Sequence, residues 1–114
     1  MSEQKRNELG VFFHMMYELN KGLRNLALLT TTQENFELIK DRIEKCKYDY
    51  IKEDLKSNYV NIFFGNSECI QVLKKFKKNS LKEFSPEEDF ILGVLLGYNV
   101  EQQCKRYINR KKVS

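Results

Sequence analysis

The chain has 114 residues, 41% hydrophobic and 32% charged, with a formal net charge of +4; that is the make-up of one globular domain with a modest core. With a single proline and no low-complexity run, the sequence argues against a linker or a second domain. The start, MSEQKRNELG, is too polar for a signal peptide and no segment is apolar enough to span a bilayer, so the expected compartment is the cytoplasm.

Taken in order, residues 1–8 are expected to be poorly ordered. Leu9 to Leu19, LGVFFHMMYEL, is expected to form a strand covered on both faces. Val11, Phe13, Met15 and Tyr17 then share one face, and Phe12, His14, Met16 and Glu18 the other. NKGLRN, residues 20–25, turns around Gly22, and Leu26 to Thr30 is a second short strand. Thr32, or Thr31, caps a helix from Gln33 to about Lys47. Its apolar stripe is Phe36, Ile39, Ile43 and Cys46, with Glu37, Asp41 and Glu44 toward water.

Tyr48 to Asp54 reads as a strand that turns at Lys56-Ser57-Asn58. Tyr59 to Phe64, YVNIFF, is the strongest strand signal, β-branched and aromatic, and Gly65 stops it. Val60, Ile62 and Phe64 belong on one face; Tyr59, Asn61 and Phe63 belong on the other. Asn66 or Ser67 caps a helix to about Lys77 with the stripe Ile70, Leu73 and Phe76. A polar connection, Lys78 to Glu83, follows.

Ser85-Pro86-Glu87-Glu88 is a complete helix start: Ser85 at N-cap, Pro86 at N1 and Glu88 closing a capping box. The next residues, Phe90 to Leu96, leave no polar face, so this helix is expected to be covered on most sides. Gly93 and Gly97 lie one turn apart and suit close packing or a helix end. Asn99 caps a last helix with Val100, Cys104, Tyr107 and Ile108 on one side. The expected order is β-β-α-β-β-α-α-α in a single α+β domain, 1–114, flexible at 1–8 and 110–114. The expected core is a ferredoxin-like, four-stranded antiparallel or mixed sheet with helices packed on it.

The charge is unevenly placed. Residues 1–60 hold ten basic and ten acidic side chains, and residues 61–114 hold ten and six. The excess therefore lies at Lys74, Lys75, Lys77, Lys78 and Lys82 and at Lys105, Arg106, Arg110, Lys111 and Lys112. Such runs are usually solvated faces, or tails, but they also suit an acidic partner. Lys74, Lys77 and Lys78, at helical spacing beside Phe76, are the candidate partner-binding residues. The same lysines with Phe76 and Phe84 resemble a basic-aromatic nucleic-acid patch, although no RNA-binding signature is present.

His14 is the one histidine, beside Met15, Met16 and Tyr17, all residue types that ligate iron. It is the candidate haem or metal residue, against the plainer reading of a packed histidine. Gly65-Asn66-Ser67 offers amides to an anion but lacks a phosphate-loop pattern, and a structural turn explains it. Cys46, Cys69 and Cys104 are far apart and match no zinc spacing, so buried free thiols are expected. Glu87, Glu88 and Asp89 are accounted for by helix capping. With one histidine to serve every catalytic set, no enzyme is expected.

Three blocks carry a family resemblance: FHMMYELNKGLRNLALLT (Phe13–Thr30), NIFFGNSECI (Asn61–Ile70) and SPEEDFILGVLLGYNVEQQCKRYI (Ser85–Ile108). Together they resemble a small bacterial family known as a domain of unknown function, number two-thousand-and-twenty-three. The resemblance implies a compact α+β fold with no assigned site residues. It also implies a genomic setting near flavodoxin genes in anaerobes, at times with iron- or haem-related neighbours. The family pattern has two histidines where this chain has His14-Met15, which counts against carrying over a metal site. The expected function is a non-enzymatic cytoplasmic accessory protein binding an acidic protein, with flavodoxin as the first candidate. The alternatives are haem or iron binding through His14, and nucleic-acid regulation through the lysines.

Overall fold

The strongest strand signal becomes the middle of the sheet. In a computed structural model that describes the backbone of residues 3–113 and the side chains of residues 7–112, β3 (Tyr59–Gly65) lies between β1 (Leu26–Thr32) and β2 (Asp49–Asp54). Both pairings are antiparallel, with Leu29 opposite Ile62 and Ile51 opposite Phe63. The Ser57-Asn58 turn joins β2 to β3 with φ of 60° and 66°, the left-handed conformation that two-residue hairpin turns require.

Each sheet face is covered. Ala27, Leu29, Val60, Ile62 and Phe64 pack against α1 (Glu3–Asn20) and α2 (Gln33–Lys45). Leu26 and Phe63 face Ile70 and Leu73 of α3 (Ser67–Lys75) and Leu92 of α4 (Pro86–Leu95). The molecule is thus an α+β domain of three layers, and α5 (Val100–Val113) packs on α4.

The expected strand over Leu9–Leu19 is corrected: it is part of α1. Phe12, Met16 and Leu19 are buried, with Leu9 and Met15 beside them, whereas Phe13 and Tyr17 are about half exposed. Spacings of three and four residues make one helical stripe and cannot make one strand face. The segment is apolar at nearly every position from 11 to 17, so both periods fit until burial separates them. The four-stranded, ferredoxin-like sheet is corrected with it, to three strands in the order β1-β3-β2. Residues 3–8 and 110–113 belong to α1 and α5; residues 1, 2 and 114 lie outside the described residues.

At the far end of the sheet, Gly65 (φ +153°) lies directly against the Asn25 carbonyl. The Asn66 amide donates to that carbonyl at 2.9 Å, and the two asparagine side chains bond at 3.0 Å. The Gly65-Asn66-Ser67 turn thus ties the end of β3 to the start of β1.

The α4–α5 hairpin has defined ends. The Ser85 hydroxyl accepts from the Glu88 amide at 3.1 Å and Glu88 accepts from the Ser85 amide at 2.8 Å, which completes the capping box. Gly97 (φ +83°) donates to Val94, and Tyr98 to Gly93, closing a Schellman turn. Asn99 then caps α5 through the Gln102 amide at 3.0 Å. Gly93 lets the Gln103 side chain lie against the α4 backbone, where a Cβ would collide. Ser85→Ala is expected to lower stability by about 0.5–2 kcal/mol, measured by urea unfolding; no loss would mean that Pro86 and Glu88 hold the start unaided.

The cover of α4, expected on most sides, lies toward the sheet and α5. Leu92, Gly93 and Leu96 are buried, but Ile91 and Val94 on its outer side are exposed.

Candidate functional site

The charged residues of the second half sort into two groups. α4 begins with Glu87, Glu88 and Asp89, at the positive end of its dipole. α5 runs back antiparallel and brings its basic last turns over them. Arg106 donates to Asp89 from Nε at 2.7 Å and Nη2 at 3.2 Å, and Arg110 adds a contact at 3.3 Å. Glu87 accepts from the Tyr107 hydroxyl at 2.8 Å and pairs with Lys111 at 3.0 Å. Arg110 also donates to the Phe84 carbonyl at 3.3 Å. The basic run at the C-terminal end is therefore a clamp between two helices.

These contacts set the carboxyl groups. Burial alone raises Asp89, but Arg106 and Arg110 outweigh it and hold it below its ordinary value. Hydrogen bonds from Lys111 and Tyr107 lower Glu87. A carboxyl lowered by folding contributes stability above its unfolded pKa and loses it as pH falls through the folded one. Stability is thus expected to fall on acidification below the ordinary carboxylate values of 3.8 and 4.5. Asp89→Asn should flatten that acid limb in urea melts at stepped pH; an unchanged limb would place the acid sensitivity elsewhere.

The second group is the lysine segment. α3 ends at Lys75, with Phe76 as its C-cap, and Lys77 takes a left-handed φ of 55°. Lys74, Lys77 and Lys78 consequently do not share one helical face, as their spacing suggested. They sit instead around the helix end, with Lys75, while Lys82 lies on the 3-10 turn, Leu81–Glu83, beside Asp89 and Arg106 of the hairpin. Lys78 lies 3.5 Å from Glu88. Lys74, Lys75, Lys77 and Lys82 are exposed and make no ion pair among the described residues. An edge-on ring contact at 5.4 Å between Phe76 and Phe84 anchors the segment.

Beneath it lies a cleft of about 220 Å³, floored by Ile51, Phe63, Leu73 and Phe84 and rimmed by Lys78 and Ser80. Its inner end meets a polar rung across the sheet that single-strand patterns do not reveal. The Thr30 hydroxyl donates to Asn61 at 2.6 Å, and Asn61 donates to Glu53 at 3.3 Å. These three residues sit directly opposite one another in the strand register. Glu53 also accepts from the Leu81 amide at 3.4 Å, fixing the 3-10 turn over the sheet.

His14 lies on α1, with 72% of its side chain exposed, 3.5 Å from Glu18. It stacks on Tyr17 at 6.4 Å, while Met16 points into the core. Glu18 is also engaged by Arg24 at 2.9 Å. The imidazole thus lies exposed between a tyrosine ring and a carboxylate. Among the described residues, no group of three or more histidine, cysteine, aspartate or glutamate side chains is placed to hold a metal ion. The three cysteines are free, half-buried thiols, and burial pushes Cys69 up. No helix of the described residues is long and apolar enough to cross a membrane.

Fold and site define a class: a three-layer α+β domain with a charge-clamped helix hairpin and a lysine-rich surface over a shallow cleft. The chain belongs to the family described as "Protein of unknown function (DUF2023)", whose family model matches residues 10–110. It is also similar to "Golgi apparatus protein 1" of Gallus gallus, 31% identical over 83 residues. That similarity covers 68% of this chain but only 7% of the relative's length.

Proposed function

We propose that the protein is a non-enzymatic, cytoplasmic accessory protein that docks an acidic protein partner through the lysine segment around Lys74, Lys77 and Lys78. One observation carries the reading. The clamp engages Arg106, Arg110 and Lys111 internally, so the unpaired positive charge of the second half faces solvent at Lys74, Lys75, Lys77 and Lys82 and, at the end of α5, at Lys112. The cleft and the Phe76–Phe84 pair beside these lysines supply an apolar anchor point. An acidic flavodoxin in an iron- or haem-related redox setting is the first candidate, on charge complementarity and on the genomic setting that the resemblance implies.

The test is equilibrium binding of a purified flavodoxin at low salt, to wild type and to the Lys74→Glu, Lys77→Glu, Lys78→Glu triple variant. The variant is expected to bind at least about tenfold more weakly. Equal binding would reduce the lysines to a solvated face. Retention on RNA or DNA that the variant loses, without any flavodoxin binding, would put a nucleic-acid regulator in place of this reading. A haem absorbance band lost in His14→Ala would put a haem protein there.

A further inference from the structure

The outer side of the α4–α5 hairpin is apolar and uncovered among the described residues. Ile91, Val94 and Tyr98 line it on α4 and the turn that follows, and Val100, Cys104 and Ile108 line it at four-residue spacing on α5. Between 37% and 58% of Ile91, Val94, Tyr98, Val100 and Ile108 is exposed. The Phe90–Tyr107 ring contact at 5.7 Å joins the two helices. Scattered surface hydrophobes need no explanation, but a contiguous patch does. A helix apolar all round needs cover all round; here the sheet side covers Leu92 and Leu96, α5 covers Gly93 and Phe90, and nothing among the described residues covers Ile91 and Val94.

We propose that a second copy of this chain covers this face, hairpin against hairpin, as a two-fold four-helix contact. Charge favours a second copy over a charged partner. At the rim, Glu87 pairs with Lys111 at 3.0 Å and Glu101 with Lys105 at 3.1 Å, so the rim charges are neutralised within each copy. Area agrees. At roughly 150–200 Å² for each large side chain, five half-exposed ones leave on the order of 450 Å² per copy, and with the rim two copies reach the ~1,000 Å² of a specific interface.

The spacing of α5 sets the register. In a two-fold contact, residue i of one copy meets residue j of the other and j meets i, and only a residue on the axis meets its own counterpart. Val100 and Ile108 flank Cys104 equally, so an antiparallel α5–α5 crossing centred on Cys104 places Val100 against Ile108 of the second copy. The contact is separate from the lysine segment and stands or falls without it.

Sedimentation equilibrium of the full chain tests the contact. Wild type is expected to dimerise. Val100→Lys and Ile108→Lys, on side chains 58% and 51% exposed, should leave the monomer folded. Together they should raise the dimer dissociation constant at least about 100-fold. Leu38→Lys, on the exposed apolar patch between α1 and α2, should change nothing. Independently, a short bis-maleimide should join two wild-type chains, and Cys104→Ser should abolish the product. A wild type that stays monomeric overturns the proposal, as does a dimer indifferent to the two lysines or one lost in Leu38→Lys. Cross-linking that survives Cys104→Ser overturns the register.

Discussion

Replacing Phe64 by alanine is expected to lower the unfolding free energy by about 3–5 kcal/mol. Phe64 is fully buried near the end of the middle strand, between Ala27 and Tyr50 on its two neighbours. It meets the Phe12 ring at 5.4 Å and shares its face with Ala27, Tyr50 and the stripes of α1 and α2. The hydrogen-bonded strands around it cannot collapse into the space left, so the lost transfer energy and the cavity add. Urea melts of wild type and variant measure the effect directly. A loss below about 1 kcal/mol would mean that α1 does not pack on the sheet as described.

The second large effect is expected at Gly65→Ala, about 2–4 kcal/mol of lost stability. Two causes act at one atom. The φ of +153° is one that side-chain-bearing residues rarely adopt, and the added Cβ would collide with the Asn25 carbonyl. That carbonyl is backbone, held by the Asn66 amide and by the pairing of Leu26 with Gly65, so it has little room to yield. The same melts test it. A neutral outcome would show that the tie between β1 and β3 is loose in solution.

Much of this architecture is legible in the residues. Tyr59 to Gly65 alternates apolar side chains to two faces, and those faces are the two core clusters. The Ser85 box, the Gly97 stop and the Asn99 cap are local chemistry, complete within four or five residues, and they form as written. What was not legible depends on partners distant in sequence. LGVFFHMMYEL fits both the strand and the helix period, and only packing against Phe64 and the α2 stripe decides for the helix. The basic C-terminal run looks like a tail until Glu87 and Asp89 are placed beside it. The charge signature was nonetheless present: an acidic first turn followed, one antiparallel helix later, by a basic last turn. Lys74, Lys77 and Lys78 read as a helical face because nothing in the sequence marks the helix end at Lys75; the left-handed Lys77 does so only in the fold. The Thr30–Asn61–Glu53 rung needed the strand register, which no single strand carries.

The claim that the lysine segment recruits an acidic partner is tested most directly by association kinetics. Stopped-flow rates with an acidic flavodoxin should be recorded from low ionic strength upward, for wild type and for the Lys74, Lys77 and Lys78 to glutamate variant. At about 0.1 M salt the screening length is roughly 10 Å, so steering by surface lysines should fade over that range. The account predicts a wild-type rate that falls steeply with salt and a variant rate that is low and nearly flat, the two converging at high salt. Equal rates and equal salt dependence in the two proteins would contradict it.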